Sequence, residues 1–252
     1  MRKEFYYNET VTRFYDPVYE KILSKSGLEF YLQEIAGTKG AVLEAGAGTG
    51  RIFVPALESG ADIYGIDYSV SMLNRLKEKI SEKDYHRISV QDMREFSLDK
   101  KFKLVISPFR VFQHLLTIDD QLKTLNRIYE HLQDGGRLIF DVVCPDLKRL
   151  ISDADNIPEF DGEYESGKKL QRFASIRYDN INQILNLTFK FVWDENGQQK
   201  TCEFSTPLRY YHRFEIENLI ARTKFKLENI YGDFKRSELN NDSKEFVVVC
   251  RK

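Results

Sequence analysis

The chain has 252 residues, and its 38 basic and 39 acidic residues leave a formal net charge of −1 at neutral pH. Proteins that bind nucleic-acid phosphates usually present a basic face, so the near-equal numbers of basic and acidic residues disfavour nucleic acid as the partner. No stretch suggests a membrane span, and the length fits one large core with a small appended subdomain. The three cysteines lie far apart in the sequence, so we expect free thiols, no metal site and a cytoplasmic protein.

The N-terminal segment is unusually aromatic for a chain end, with aromatic runs at 5–7 and 14–19. We expect a helix here, and one role for Tyr15 and Tyr19 is to pack it onto a sheet.

The most informative segment is a glycine-rich turn. A short apolar run at 41–43 is predicted as a buried strand, and it ends on Glu44 before glycine recurs at Gly46, Gly48 and Gly50. Glycine adopts backbone angles closed to other residues and lets a ligand approach the main chain closely. A dinucleotide fingerprint needs its third glycine one position later, so the spacing favours a different nucleotide cofactor.

Carboxylates follow the next predicted strands at the same end. The strand at 62–66 is followed directly by Asp67, and the strand at 87–90 is followed shortly by Asp92. Ligands of open α/β folds bind at the carboxyl ends of the strands, and an acidic residue about 20 positions beyond the glycines accepts ribose hydroxyls there. Asp67 therefore supports a ribose-bearing cofactor.

The remaining elements keep a strand and helix alternation. A fourth strand at 103–107 precedes an amphipathic helix at 118–132, and a strand at 137–143 follows. Two more strands are predicted at 226–231 and 245–250. Such alternation favours a parallel sheet covered by helices on both faces.

The acidic residue followed by G-x-G-x-G resembles the first motif of the class I S-adenosylmethionine-dependent methyltransferases. The segment Leu132-Gln-Asp-Gly-Gly-Arg-Leu resembles a signature before the fifth strand of that family, and the resemblance covers about residues 35–145 and 210–252. It implies an α/β fold with a Rossmann-like seven-stranded, mostly parallel sheet and an antiparallel last strand. It also implies S-adenosyl-L-methionine as cofactor and S-adenosyl-L-homocysteine as product.

The resemblance assigns roles to individual residues. Glu44 would hold the amino group of the methionine moiety, Asp67 the ribose, and Asp92 the adenine amino group, with Met93 near the ring. The residues expected to bind the cofactor are Glu44, Gly46, Ala47, Gly48, Gly50, Asp67, Tyr68, Met72, Asp92, Met93 and Ser107.

Two residues are candidates for catalysis. His114 follows the fourth strand, where the methyl group should point, and it would act as a general base or as a polar contact that orients the acceptor. It could equally cap or pack against the helix at 118–132. Tyr15 belongs to a Tyr-Asp-x-x-Tyr pattern that in the family folds over the cofactor. The expected acceptor-binding residues are Tyr19, Phe109, Arg110, Arg209, Tyr211 and His212.

The fold does not require the segment at 146–211. Three antiparallel strands are predicted there, at 169–178, 184–193 and 199–211, since apolar residues alternate with period two. This small β insertion would serve as a substrate lid or a dimer face, or would merely extend the core.

The domain prediction therefore has two parts. Residues 1–145 and 212–252 form the cofactor-binding core, with an N-terminal cap helix within 1–35, and 146–211 form the inserted subdomain. We expect an enzyme, monomeric or homodimeric, that moves a methyl group to a nitrogen or oxygen of a small molecule. The alternatives are a methyltransferase for RNA or protein, or a non-catalytic S-adenosylmethionine-binding module.

Overall fold

The computed structural model describes residues 7–22 and 25–252. The helices are α1 (Glu9–Ile22), α2 (Lys25–Ala36), α3 (Phe53–Glu58), α4 (Val70–Lys77), α5 (Ile118–His131) and α6 (Arg213–Ala221). The strands are β1 (Val42–Ala45), β2 (Ile63–Asp67), β3 (Ile88–Val90), β4 (Phe102–Ser107), β5 (Leu132–Val143), β6 (Ala154–Glu165), β7 (Lys168–Asp179), β8 (Ile184–Glu195), β9 (Gln198–Arg209), β10 (Lys226–Tyr231) and β11 (Glu245–Arg251). Short 3₁₀ helices span Glu82–Arg87 and Val111–His114.

The described residues form two compact units, and each unit combines two stretches of the chain. The larger unit contains Lys25–Pro145 and Tyr210–Lys252. The smaller unit contains Asp146–Arg209 and the described part of Met1–Ser24. Helix α1 therefore groups with the inserted strands, whereas the sequence suggested a cap helix of the core within 1–35. Residues 1–6, 23 and 24 of that expected helix, including Phe5 and Tyr6, lie outside the described residues.

The larger unit is built on a seven-stranded sheet with the order β10-β11-β5-β4-β1-β2-β3. Strand β1 pairs in parallel with β2 and β4, β2 pairs in parallel with β3, and β4 pairs in parallel with β5. Strand β11 runs antiparallel to both β5 and β10. The predicted fold class, a mostly parallel sheet with an antiparallel last strand, is confirmed.

The parallel register brings the ends of separate strands to one edge. Glu44 on β1 lies opposite Gly65 of β2 on one side and opposite Ile106 of β4 on the other. The residues that follow these strands, which include the glycine turn and Tyr68, therefore meet at the same edge. Two apolar clusters cover the sheet, and successive strand residues alternate between them as the β-pleat requires.

Strand β5 begins earlier than the sequence suggested. Asp134, Gly135 and Gly136 were expected to separate the helix from a strand at 137–143, but β5 already begins at Leu132. Gly135 has φ +67°, and the pairing of β5 with β4 shifts register between Phe102 and Leu104. The two glycines therefore belong to the strand, in a stretch where its pairing with β4 is irregular.

The smaller unit contains an antiparallel sheet of four strands in the order β6-β7-β8-β9. The sequence predicted three of them and missed β6. Most β6 side chains are exposed, Pro158 lies within the strand, and the pairing of β6 with β7 shifts register repeatedly. Edge strands tolerate proline and need no apolar alternation, so the period-two pattern that identifies a half-buried strand is absent.

Helix α1 packs on this sheet through aromatic residues. Phe14 is completely buried, and its ring centroid lies 5.0 Å from that of Tyr164 and 5.1 Å from that of Trp193. Phe191 stacks on the same ring at 5.7 Å. Buried aromatic pairs of this kind contribute beyond the area they bury, which explains why α1 groups with the insertion.

Removal of the Phe14 ring should selectively weaken the smaller unit. We expect Phe14→Ala to lower the free energy of unfolding of this unit by about 3–5 kcal/mol, the cost of an unfilled aromatic cavity. Trp193 is the single tryptophan of the chain and belongs to this unit, so its fluorescence during urea unfolding reports the effect. Phe214→Ala removes the same ring from a 69% exposed position and should leave the Trp193 transition unchanged.

Candidate functional site

The glycine turn after β1 has one tightly packed side and one open side. All three glycines have positive φ angles, +93° at Gly46, +53° at Gly48 and +89° at Gly50. A Cβ atom at Gly46 would lie 2.6 Å from a Val111 methyl, and one at Gly50 would meet the Leu76 side chain. A Cβ atom at Gly48 would meet no heavy atom within 4 Å among the described residues. The central glycine therefore borders space that a ligand can fill.

Glu44 lies buried directly before this turn. Its side chain is 2% exposed, and the carboxylate accepts a hydrogen bond from the backbone N–H of Phe53 at the start of α3. Within the described residues, Oε2 has no hydrogen-bond partner. Burial, together with the nearby charge of Asp67, raises the pKa of Glu44 well above its usual value. A ligand cation beside this carboxylate would supply the missing partner and favour its ionised form.

Asp67 ties the end of β2 to the glycine turn. Its Oδ2 accepts from the Gly48 N–H at 2.9 Å, and its Oδ1 accepts from the Ser69 N–H at 2.8 Å. Burial raises its pKa, and these two backbone bonds oppose that rise. A carboxylate offers about four acceptor positions, so Asp67 retains capacity for ligand hydroxyl groups.

The other expected cofactor residues surround the same edge in different environments. Ala47 and Met72 are buried, Met93 is partly buried against the core, and Tyr68 is 37% exposed. Ser107, at the end of β4, is buried, and its Oγ lacks a hydrogen-bond partner within the described parts of the chain. The contacts of these residues with a cofactor remain predictions.

Asp92 already has a charged partner. Its carboxylate accepts from the Arg94 backbone N–H and from Nε, both at 2.9 Å, and it also pairs with Nη2. Arg94 reaches Asp120 as well, at 3.5 Å. The predicted hydrogen bond from an adenine amino group would therefore use an acceptor position of the Asp92 carboxylate that Arg94 does not occupy.

His114 ends the 3₁₀ helix that follows β4. Its side chain is half-buried, and burial lowers the pKa of the imidazole to about 4. The ring is therefore neutral at pH 7 and can accept a proton, although only as a weak base.

Asp141 is a site residue that the sequence reasoning missed. It lies on β5 with 1% exposure, and its carboxylate accepts from the Tyr31 hydroxyl at 2.6 Å. It also accepts from the backbone N–H groups of Phe109 at 2.7 Å and Arg110 at 3.0 Å. The one available signal was an aspartate within the otherwise apolar run of β5.

The expected acceptor-binding residues of the larger unit lie in dissimilar surroundings. The Arg110 guanidinium is partly exposed and pairs with Glu245 at 3.1 Å. Tyr211 is buried, and its hydroxyl donates to the Leu115 carbonyl at 3.4 Å. His212 is exposed at the start of α6. Their acceptor contacts remain predictions.

Tyr15, Tyr19 and Arg209 belong to the smaller unit. The two tyrosine rings pack against each other with centroids 4.4 Å apart, and the buried Arg172 guanidinium lies 4.9 Å above the Tyr19 ring. Arg209 donates to the Asn182 carbonyl and to the Gln183 side chain. Their predicted roles in catalysis and acceptor binding are neither supported nor contradicted by these contacts.

Within residues 7–22 and 25–252, no group of three or more His, Cys, Asp and Glu side chains could hold a metal ion. In the same ranges, no helix combines the length and apolar character needed to cross a membrane. The three cysteines are free thiols.

Comparison with known proteins identifies the family. A methyltransferase-domain family model matches residues 42–136, which include the glycine turn and Asp67. Over 99% of its length the chain is 33% identical to a glycine/sarcosine N-methyltransferase of Aphanothece halophytica, of which the match covers 92%.

Solved structures share the fold. An S-adenosylmethionine-dependent methyltransferase from Clostridium acetobutylicum superimposes with a TM-score of 0.77 at 15% identity, with coverage of 96% of this chain and 97% of the other. Streptomyces venezuelae DesVI gives 0.75 at 17% identity, with coverage of 93% and 96%.

Among the described residues, the Glu44 oxygen without a partner, the open side of Gly48 and the spare acceptor capacity of Asp67 suit the amino group and ribose of S-adenosylmethionine. The relatives and solved structures confirm the predicted enzyme class and cofactor. The full-length relationship and the shared fold agree, and the chain belongs to the class I S-adenosylmethionine-dependent methyltransferases.

Proposed function

We propose that this enzyme methylates the nitrogen of a small amine, with S-adenosylmethionine as the methyl donor. Methyl transfer to a small-molecule nitrogen or oxygen follows from the family, and two findings support nitrogen as the finer choice. The relative with 33% identity over almost the whole chain is named for the N-methylation of glycine and sarcosine. Two further relatives of that name have 27% identity.

The observation that carries the cofactor part of the proposal is the buried Glu44 carboxylate, one oxygen of which has no hydrogen-bond partner in the described parts of the chain. Glu44 would accept from the donor's amino group, and Asp67 would accept from its ribose hydroxyls. The bound donor supplies a methyl group on a positively charged sulfur, which is already activated towards a nucleophile. The protein's main task is therefore to hold the acceptor in line with that methyl group and the sulfur.

His114 would assist by handling the proton of the acceptor nitrogen. An ammonium group has no free electron pair, so the acceptor must lose a proton before the new N–C bond forms. Burial keeps the His114 ring neutral, so it can accept a hydrogen bond that orients the amine; with a pKa of about 4 it is only a weak acceptor of the proton itself. The remaining possibility, that His114 only packs against α5, is an outcome of the kinetic test below.

The direct test is an acceptor survey with the purified protein. S-adenosylhomocysteine formation would be followed with glycine, sarcosine and other small amines, and the products identified by mass spectrometry. We expect turnover with at least one amine and a mass increase on its nitrogen. Exclusive O-methylation, turnover only with tRNA or a protein acceptor, or cofactor binding without any turnover would each contradict the proposal.

Substitution of Gly48 should block the cofactor. Gly48→Val places a branched side chain in the open space beside the turn, at a φ angle that valine rarely adopts. We expect calorimetry to detect no binding of S-adenosylhomocysteine. Gly60→Val is the matched control, because Gly60 has φ +85° and open surroundings in the turn before β2. Equal loss of binding in both variants would mean that backbone strain alone is responsible.

Asp67→Ala should weaken cofactor binding by about 1–3 kcal/mol, since it removes the acceptor for buried hydroxyl groups. Calorimetry with S-adenosylhomocysteine measures the change, and circular dichroism checks the fold. Asp233→Ala removes another carboxylate that accepts from two backbone amides, those of Lys235 and Ser237, and should leave affinity unchanged. A wild-type dissociation constant for folded Asp67→Ala would remove Asp67 from the cofactor site.

His114→Ala should lower kcat by roughly 10²-fold with the identified acceptor, the lower end of the range for a general base. Burial lowers the pKa of His114 to about 4, so the imidazole stays neutral between pH 6 and 9 and is protonated only as the pH falls towards 4. The ratio of wild-type to variant kcat should therefore be constant from pH 6 to 9. Near-normal kcat in the variant would show that His114 takes no part in catalysis and that alignment of acceptor and methyl group accounts for it.

A further inference from the structure

The turn after β4 has an unusual backbone. Phe109 and Arg110 have φ angles of +56° and +68°, so two consecutive residues with side chains occupy the left-handed region. Residues with a side chain are sterically strained in this region, and the conformation persists only where surrounding contacts enforce it. A specific interaction must therefore hold this turn.

Asp141 provides that interaction from the neighbouring strand. Its Oδ1 accepts from the Phe109 N–H at 2.7 Å, and its Oδ2 accepts from the Arg110 N–H at 3.0 Å. Successive N–H groups in this geometry converge on an anion. The Tyr31 hydroxyl donates to Oδ1 at 2.6 Å and orients the carboxylate from α2.

The Phe109–Arg110 turn and the residue after it pack against the glycine loop. Val111 follows it directly and packs against Gly46 so closely that a Cβ atom there would lie 2.6 Å from a Val111 methyl. The Phe109 ring lies 4.2 Å from the guanidinium of Arg51, the residue after the last glycine. A change in the turn would therefore move atoms that touch both ends of the glycine loop.

We propose that Asp141 is a positioning residue, which holds the Phe109–Arg110 turn and, through Val111, keeps the glycine loop in its cofactor-binding form. Nothing in the chemistry of methyl transfer requires this carboxylate to touch the reacting atoms. The inference depends on the cofactor site and is independent of which acceptor the enzyme uses.

Asp141→Asn is the informative substitution because it preserves size. The amide offers a single oxygen to three donors, and its NH₂ group faces a backbone N–H that then loses its partner. We expect the dissociation constant of S-adenosylhomocysteine to rise roughly tenfold. We also expect faster hydrogen exchange in a peptide covering residues 108–115, with exchange in β1 and β2 unchanged.

Two further variants separate positioning from general stability. Asp233→Asn alters a carboxylate that also accepts from two backbone amides, in the turn after β10, and should change neither readout. Arg110→Gly in the Asp141→Asn background should restore much of the affinity, because glycine adopts φ +68° without the steric cost. If Asp141→Asn lowered affinity only by destabilising the core around residue 141, Arg110→Gly would not restore the affinity.

Tyr31→Phe covers the case in which Asp141→Asn does not fold. It removes one of the donors and leaves both backbone bonds, so we expect a smaller rise in the dissociation constant with the same localised exchange. A folded Asp141→Asn protein with wild-type affinity and exchange would overturn the proposal. If only Tyr31→Phe folds, wild-type behaviour of that variant would overturn it equally.

Discussion

The larger unit depends on the attachment of the glycine turn to the end of β2. The N–H groups of Gly46 and Ala47 donate to the Ile66 carbonyl at 2.8 and 3.0 Å, and the Gly48 N–H donates to Asp67 at 2.9 Å. These bonds form only when β1 and β2 are parallel neighbours in register, so the turn has this form only within the paired sheet. The turn then determines where α3 begins and which side of the glycines remains open.

A second constraint is electrostatic, since buried acidic groups gather around one phenol. Burial raises the pKa of Tyr31 well above its usual value, and Asp141, Glu245 and Glu44 raise it further. Burial also raises the pKa of Glu245 to about 7, partly offset by Arg110. Burial disfavours the charged form of a carboxylate unless a cation or hydrogen-bond donors compensate for it. A positively charged ligand near these groups would favour their ionised forms.

The smaller unit is stabilised by different means. Its antiparallel sheet and α1 share an aromatic core around Phe14, and Arg172 is buried over the rings of Tyr19 and Phe189 while it pairs with Glu159 at 3.0 Å. Stacking on aromatic rings and pairing with a carboxylate compensate for the burial of a guanidinium. The unit thus has an aromatic core of its own.

The sequence by itself determined the strand and helix order of the larger unit, the glycine turn and the position of Asp67, because these depend on local spacing and hydrophobic period. It could not show β6, whose exposed edge position requires no apolar alternation, nor the Arg94 partner of Asp92. Only the tertiary structure decided the grouping of α1 and the contacts of Asp141, 31 residues beyond Arg110. Contacts between distant segments leave no periodic signal, so the sheet register alone brings that carboxylate to the turn it holds.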